Sequence, residues 1–530
     1  MNRFLRDLTR WCSSLAAAAL LCAALPSSAP AAETPAAARP TIAVLPFTNA
    51  SGDRRQDFFA PGITDEIATA LTGVRGVAVV ARSSVFQLKR PQPLILPLLL
   101  QTLPVGRAEE DRDDAMTAGR ALNARYVVQG RTRITPDEHA QLAVRLVEAS
   151  DGAELWSQEY DTEPAGIFDI EEGIARAIAT ALKMPVGSDP LVHSQTEPYA
   201  YLDFLRAKVA ARPRGAAALG DAAAFLEKVL VRDPEYPPAA ALLAYDYALT
   251  PLFAPSLRGG NPTEERKIVD RMVPKSETIA RRATLLDPQS ADAFVALGYA
   301  NLVQLKMVAA EDAFKQALAL NPDQADGLHG YSQFLAAMGR IKESLALREH
   351  LQTIEPFIIN YTADTAEIYW LAGDTGKAVA MLQPFRPGRT LELALVEASA
   401  GHYREAAAAL REMPATNYPP GMLEAAAKTL ESAPAKAAAP ADLPRLGNMS
   451  FAYMHVGAPE RVLEFYEDEI KAGYFQPIST TWFWHPTYEA VRKTERFKTV
   501  ARDLGLVDYW RARGWPAQCH PVGANDFACD

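Results

Sequence analysis

The stretch ADAFVALGYANLVQLKMVAAEDAFKQALALNP, residues 291–322, decides the architecture of most of this chain. It reads as two helices folded back on each other. Phe294 and Leu297-Gly298 fall on the first helix, Ala310, Phe314 and Ala317 on the second, and Pro322 ends it. Gly298 and Ala310 allow the two backbones to approach closely, and Phe294 and Phe314 fill the space beside them. One hairpin cannot bury its own apolar stripe, so copies have to stack. The copies are there. Pro288, Pro322 and Pro356 follow one another at intervals of 34 residues, and Gly339 and Gly373 repeat the same interval. Pro234 precedes Pro288 by 54, which is one period plus a 20-residue insertion around Thr250–Glu265.

Thirty-four residues is the tetratricopeptide period, and the stretch resembles that family position by position. The frame continues with Gly339, Ser344 and Leu351, then with Gly373, Ala378 and Leu382. Gly401 with Ala406, and Gly457 with Leu463, suggest two further hairpins. The repeats are expected over 195–424, an Ala/Pro-rich linker over 425–444, and a last hairpin with an aromatic cap over 445–515. The cap is read from Trp482-Phe483-Trp484-His485-Pro486, Phe497, Leu504-Gly505-Leu506 and Tyr509-Trp510, an aromatic seam sealing the final repeat.

Ahead of the array, about residues 41–185 read as a small α/β domain of five strands and three helices. Thr41–Pro46, Val77–Ala81 and Tyr126–Gly130 are short apolar runs of the buried-strand type, and Gln141–Val147 and Glu154–Tyr160 alternate. Asp151-Gly152 marks a hairpin between the last two. Helices are expected from Phe58 to Leu71, around Ala115–Leu122, and from Ile167 to Leu182. The strings IAVLPFTNASGD (42–53), FFAPGITDEIATAL (58–71) and VVARSSVFQLK (79–89) resemble the TolB amino-terminal-like domain. LNARYVVQGRTRI (122–134), LVEASDGAELWSQEYD (146–161) and IFDIEEGIARAIATAL (167–182) continue the resemblance in order. In that family the domain often stands between a cyclase or winged-helix module and a tetratricopeptide array. Here a signal-like segment takes the module's place, so the resemblance implies scaffold or sensor parts without the usual signalling output. Residues 91–107, PQPLILPLLLQTLPVGR, depart from the family. Their prolines forbid a regular helix or central strand. They read as a loop over the domain's own core, as an apolar patch that docks a partner or touches a membrane, or as disorder.

The first 31 residues have the form of a secretory signal: Arg3, Arg6 and Arg10, an apolar run from Trp11 to Leu25, and Ala29-x-Ala31 for cleavage. The run is too short for a bilayer-spanning helix. Residues 32–40 follow as a leader. A periplasmic or secreted protein is expected, with no integral span after cleavage; an uncleaved anchor is the alternative. Of four cysteines, Cys519 and Cys529 alone lie beyond the signal, and a disulfide is expected in the tail, 516–530. The formal net charge of −10 disfavours binding to nucleic acid.

No phosphate-binding loop, dinucleotide fingerprint, His-Glu-x-x-His pair or nucleophile elbow occurs, and the eight histidines are scattered singly. No catalytic residue, cofactor or metal is expected, and the chain reads as a non-enzyme. Asp65-Glu66 and Glu171-Glu172 fall on amphipathic helices and read as solvated faces. A partner groove is expected on the first helices of the repeats. It is assigned to Val295, Tyr299, Leu302 and Val303, then His329, Gln333 and Ala336, then Ala363, Glu367 and Trp370. Lacking Lys and Asn there, the groove should prefer an amphipathic or aromatic-bearing segment to an acidic C-terminus. The function that follows is an exported scaffold with protein or peptide partners in the envelope and the α/β domain as second docking surface. The alternatives are a small-ligand sensor or an unrecognised enzyme.

Overall fold

The computed structural model describes residues 39–80, 84–85, 108–163, 166–185, 195–253, 259, 261–385, 391–434, 442–476 and 480–530. The signal-like segment, the Pro-rich insertion 91–107 and residues 435–441 of the expected linker lie outside the described residues. Residues 1–39 form a unit of their own, of which Arg39 alone is described; all that follows concerns the compact unit Pro40–Asp530.

Its N-terminal part is a mixed sheet of six strands: β1 (Thr41–Val44), β2 (Thr48–Asn49), β3 (Ala78–Val79), β4 (Tyr126–Ile134), β5 (Ala140–Glu148) and β6 (Glu154–Thr162). The order is β3-β1-β4-β5-β6, and the short β2 pairs with β4 further along. β1 runs parallel to β3 and β4, while β4, β5 and β6 are antiparallel. Three helices accompany the sheet: α1 (Phe59–Thr72), α2 (Ala108–Leu122) and α3 (Ile167–Ala181). Strand side chains alternate between faces. Ile42, Val44, Val128 and Leu146 meet α1 and α3 on one face. Ala43, Leu45, Val127 and Val147 meet Ala115, Ala118 and Leu122 of α2 on the other. β1 is central, parallel and covered on both sides, which is why its sequence is a continuous apolar run. Gly152 makes the β5–β6 turn at φ +71°, in the left-handed region that glycine tolerates.

Helical hairpins follow. They pair α4 (Pro198–Ala211) with α5 (Ala216–Arg232), α6 (Pro237–Leu249) with α7 (Pro262–Leu286), and α8 (Ala291–Leu302) with α9 (Met307–Leu320). Next come α10 (Ala325–Ala337) with α11 (Ile341–Ile354), α12 (Ile359–Leu371) with α13 (Thr375–Leu382), and α14 (Leu391–Ser399) with α15 (Tyr403–Arg411). Both sequence rulers have structural causes. Asp233, Asp287, Asn321 and Glu355 each end a second helix with φ between −138° and −128° and positive ψ, the extended backbone imposed on a residue before proline. Gly339 and Gly373 follow first helices at φ +84° and +90°, the left-handed conformation that stops a helix. A Cβ at Gly298 would stand 2.7 Å from the Phe314 ring, so the expected close approach is real.

Three expectations need correction. The linker 425–444 begins inside a helix, α16 (Met422–Glu431), because alanine favours helix where proline does not intervene. The hairpin centred on Gly457 has an α-helical second arm, α17 (Leu463–Ala472), but its first arm, Gly447–His455, is 3₁₀. The carboxylates of α1 and α3 are not a solvated face. Asp65 and Glu171 are fully buried, because α4 packs against α1 and its Tyr201 reaches across to Phe168 and Glu171 of α3. A Cβ at Gly62 would lie 2.8 Å from Leu205 of α4. Arg212 donates to Asp65 at 2.8 Å, Lys208 pairs with Glu66, and the Tyr201 hydroxyl donates to Glu171. Burial, with Glu66 nearby, pushes the Glu171 carboxyl well up. The apolar core beneath runs unbroken from Ile42 of β1 to Tyr247 of α6.

Candidate functional site

Consecutive first helices bring four side chains to equivalent places: Tyr245, Tyr299, Gln333 and Glu367 sit at one helical position in α6, α8, α10 and α12. The column divides. Its first three members meet a polar recess, and Glu367 is covered.

Asp326, at the start of α10, is the hub of the recess. Its Oδ1 accepts from the hydroxyls of Tyr245 (3.1 Å) and Tyr361 (3.0 Å) and from Arg214 Nη2 (3.2 Å). Arg214 comes from the turn between α4 and α5, where φ is +54°, and its other terminal nitrogen donates to Tyr245 at 3.0 Å. The His329 ring packs 4.4 Å from that of Tyr361. Arg348, wholly buried on α11, points Nη1 at His329 Nδ1 from 3.0 Å. A guanidinium can only donate, so Nδ1 is the acceptor and the imidazole proton sits on Nε2. Burial, then the charges of Arg348 and Arg214, hold His329 well below the usual histidine range; it is neutral. Asp364 of α12 closes the chain, accepting from Gln333 at 3.1 Å and standing 3.5 Å from Arg348.

Solvent partly reaches the recess. The Arg214 side chain is 39% exposed, Asp326 19% and His329 16%. Some groups are left without partners among the described residues: Arg348 Nε and both carboxylate oxygens of Asp246. Burial pushes Asp246 up to about 8, opposed by Arg214 and assisted by Asp326. Arg214 and Arg348 thus face Asp326 and Asp364, and burial, opposed by Arg348, raises the Asp364 carboxyl. No group of three or more His, Cys, Asp or Glu among the described residues could hold a metal.

The other ends of the same helices are closed by the chain itself. The last carbonyls of an α-helix lack intrahelical partners. Residues 474–510 supply them: Tyr474 OH donates to Ala248 O (2.9 Å), Phe475 N to Val303 O (3.1 Å), Trp484 Nε1 to Ala337 O (3.0 Å) and Trp510 Nε1 to Met338 O (3.3 Å). His485 stacks on Trp370 at 3.8 Å, and Thr481 donates to Glu367. Gly339 admits this seam, since a Cβ there would stand 2.5 Å from Pro516. Beyond it, α18 (Glu495–Asp503) and α19 (Leu506–Arg513) lead to a hairpin of β7 (Cys519–Val522) and β8 (Asp526–Cys529). Cys519 and Cys529 are directly opposed and form the expected disulfide, and Phe527 beside them is buried against Trp510. The aromatic segment therefore lies along the middle of the array, beside α6 to α12.

The expected groove residues are accordingly split. Tyr299, His329 and Gln333 line the recess. Val295 and Leu302 are core, and Glu367 and Trp370 lie beneath the seam. Ala363, Ala336 and Val303 are buried as well. Sequence reasoning missed Arg214, Tyr245, Asp326, Arg348, Tyr361 and Asp364. Tyr245 had a signal, since it precedes Tyr299 by the same 54 residues that separate Pro234 from Pro288. Arg214, in a turn, had none.

No family model matches the chain. A protein of Rhizobium meliloti (strain 1021) described as "Putative adenylate cyclase 3" is 32% identical over 211 residues, which make up 39% of this chain and 32% of that protein. The chain thus spans about a third of the length of that curated relative. Among solved structures it is similar to a thermophilic TPR protein of Thermus thermophilus, at 15% identity and a TM-score of 0.30, covering 38% of this chain and 99% of the other. It is also similar to the human IFIT1 dimer with m7Gppp-AAAA, at 14% identity and a TM-score of 0.37, covering 65% and 76%. The solved structures it resembles include a further TPR protein, YrrB, and the array itself rests on the hairpins described above.

Proposed function

We propose that this protein is an exported, non-enzymatic scaffold that holds a segment of a protein partner in the polar recess of a tetratricopeptide array. In this reading its TolB-like α/β part is a second docking surface, and the first 31 residues direct export. One observation carries the recess: four first helices and a turn converge Arg214, Tyr245, Tyr299, Asp326, His329 and Tyr361 in one network of hydrogen bonds and ring contacts that solvent partly reaches. Buried polar groups of this kind reward a ligand that completes their hydrogen bonds and penalise one that does not. The reading favours a segment rich in backbone carbonyls and polar side chains, and it moves the site away from Glu367 and Trp370, whose partners are intramolecular.

The test is affinity capture from the envelope of the native host. An Arg214→Ala, His329→Ala variant is expected to lose polypeptides that the parent retains; the same set captured by both would remove the recess from the reading. The sensor alternative is favoured by the unpartnered carboxylate of Asp246 beside the recess. Native mass spectrometry separates the two: a retained small molecule supports the sensor, a retained polypeptide the scaffold. Export is tested by a phosphatase fused after residue 35, which should be active only outside the cytoplasm.

A further inference from the structure

The sheet ends in a strand with nothing paired to its outer side among the described residues. β6 covers nine residues, Glu154–Thr162, and bonds only to β5, whereas the opposite edge, β3, is two residues long. A long open edge is a template for another strand, because its outward N–H and C=O groups already have the spacing a partner strand needs.

The side chains specify what would fit. Leu155, Ser157, Glu159 and Asp161 share one face of β6, and all are exposed. Trp156 and Tyr160 share the other face and are half-buried against the core. β6 itself carries three carboxylates, Glu154, Glu159 and Asp161, and no lysine or arginine. Of the bases on and beside the neighbouring strands, His139 pairs with Asp161 and, with Arg133 behind it, lowers that carboxyl, so the acidic charge that remains at the edge is that of Glu154 and Glu159. Arg145 on β5 is turned inward, donating to Gln129 at 3.0 Å. Arg131 and Arg133 lie on β4, two strands in, in register with Glu159 and Asp161. His139 and Gln141 hold Asp161 from the β5 side, at 2.8 and 2.6 Å, which fixes the carboxylate in place at the edge.

We propose that the free edge of β6 receives an extended segment of a partner protein in which basic residues alternate with apolar ones. The basic side chains would face Glu159, and the apolar ones would continue the Trp156–Tyr160 face. Cross-strand pairs of these types stabilise a sheet, and like charges directly opposed destabilise it. The proposal rests on the reading of the α/β part as a docking surface and is independent of the recess.

Hydrogen–deuterium exchange on the full chain tests it, with a capped peptide of alternating Lys and Val as probe and one of alternating Glu and Val as control. The basic probe should slow exchange across 154–162, and the acidic one should not. A Glu154→Lys, Glu159→Lys variant should lose the protection, and Arg214→Ala, His329→Ala should keep it. Both β6 positions are exposed, so an unchanged melting curve will show that the fold persists. No protection of β6, or equal protection by both peptides, would overturn the proposal. So would a concentration-dependent dimer that protects β6 without any probe, since the occupant would then be a second copy. If β6 takes no probe while the array still captures its partners, the edge proposal fails and the scaffold reading stands.

Discussion

The two ends of the same first helices have opposite fates. At one end, indole and phenol donors from residues 474–510 cap the terminal carbonyls of α6 and α10 and exclude water. At the other, Asp326, His329 and Arg214 form a network that water still reaches. The helices are alike in both places, so the helical packing does not by itself decide which surface stays open to solvent. What decides it is which orphan groups the chain satisfies with its own side chains. The expected preference for an aromatic segment in the groove is met at the seam by a segment of the same chain.

If the seam is structural and the recess functional, variants should separate them. The largest effect is expected for Trp484→Ala, which removes a fully buried indole and strands the Ala337 carbonyl. A loss of about 3–5 kcal/mol in chemical denaturation is expected for truncating a buried aromatic side chain. A loss below about 1 kcal/mol would mean the seam is loosely held. Next is Cys519→Ser, Cys529→Ser. Opening this short loop should cost about 2–3 kcal/mol. The loss should be local, seen as faster proteolysis of the tail with little change in the melting of α8–α11. Arg214→Ala should be the mirror image of Trp484→Ala: partner capture is lost while stability changes by about 1 kcal/mol or less, since a half-exposed ion pair is screened.

The smallest effect is on pH dependence. The Asp246 carboxyl is raised in the folded state to about 8. The folded protein therefore holds a proton that the unfolded chain releases above about pH 4. The sign follows: stability from this group is complete below its unfolded pKa and declines as pH rises toward 8. Asp246→Asn, which stays neutral, should match the parent at pH 4 and melt higher than it at pH 8. Parallel melting curves across that range would show that Asp246 is not held protonated.

The repeat frame was legible because it is local. Pro288, Pro322 and Pro356 act on the residue before them, and Gly339 and Gly373 on their own φ, so their spacing reports helix ends whatever surrounds them. The strands of the sheet were legible for the same kind of reason, since a covered parallel strand and a half-covered antiparallel one carry different apolar patterns. The recess was legible only where its members sit on the 34-residue period, as Tyr299 and Gln333 do. Arg214 and Arg348 enter from a turn and from a second helix, and no periodicity marks them.

The sequence by itself therefore determined the helices of the repeat frame, the longer strands of the sheet, where those hairpins turn, and that Cys519 pairs with Cys529. Tertiary structure alone decided exposure. Periodicity identifies an apolar face but not how many neighbours a helix has, so α1 and α3 looked half-solvated until α4 covered Asp65 and Glu171. For the same reason Glu367 and Trp370 looked open until Thr481 and His485, more than a hundred residues on, folded back over them.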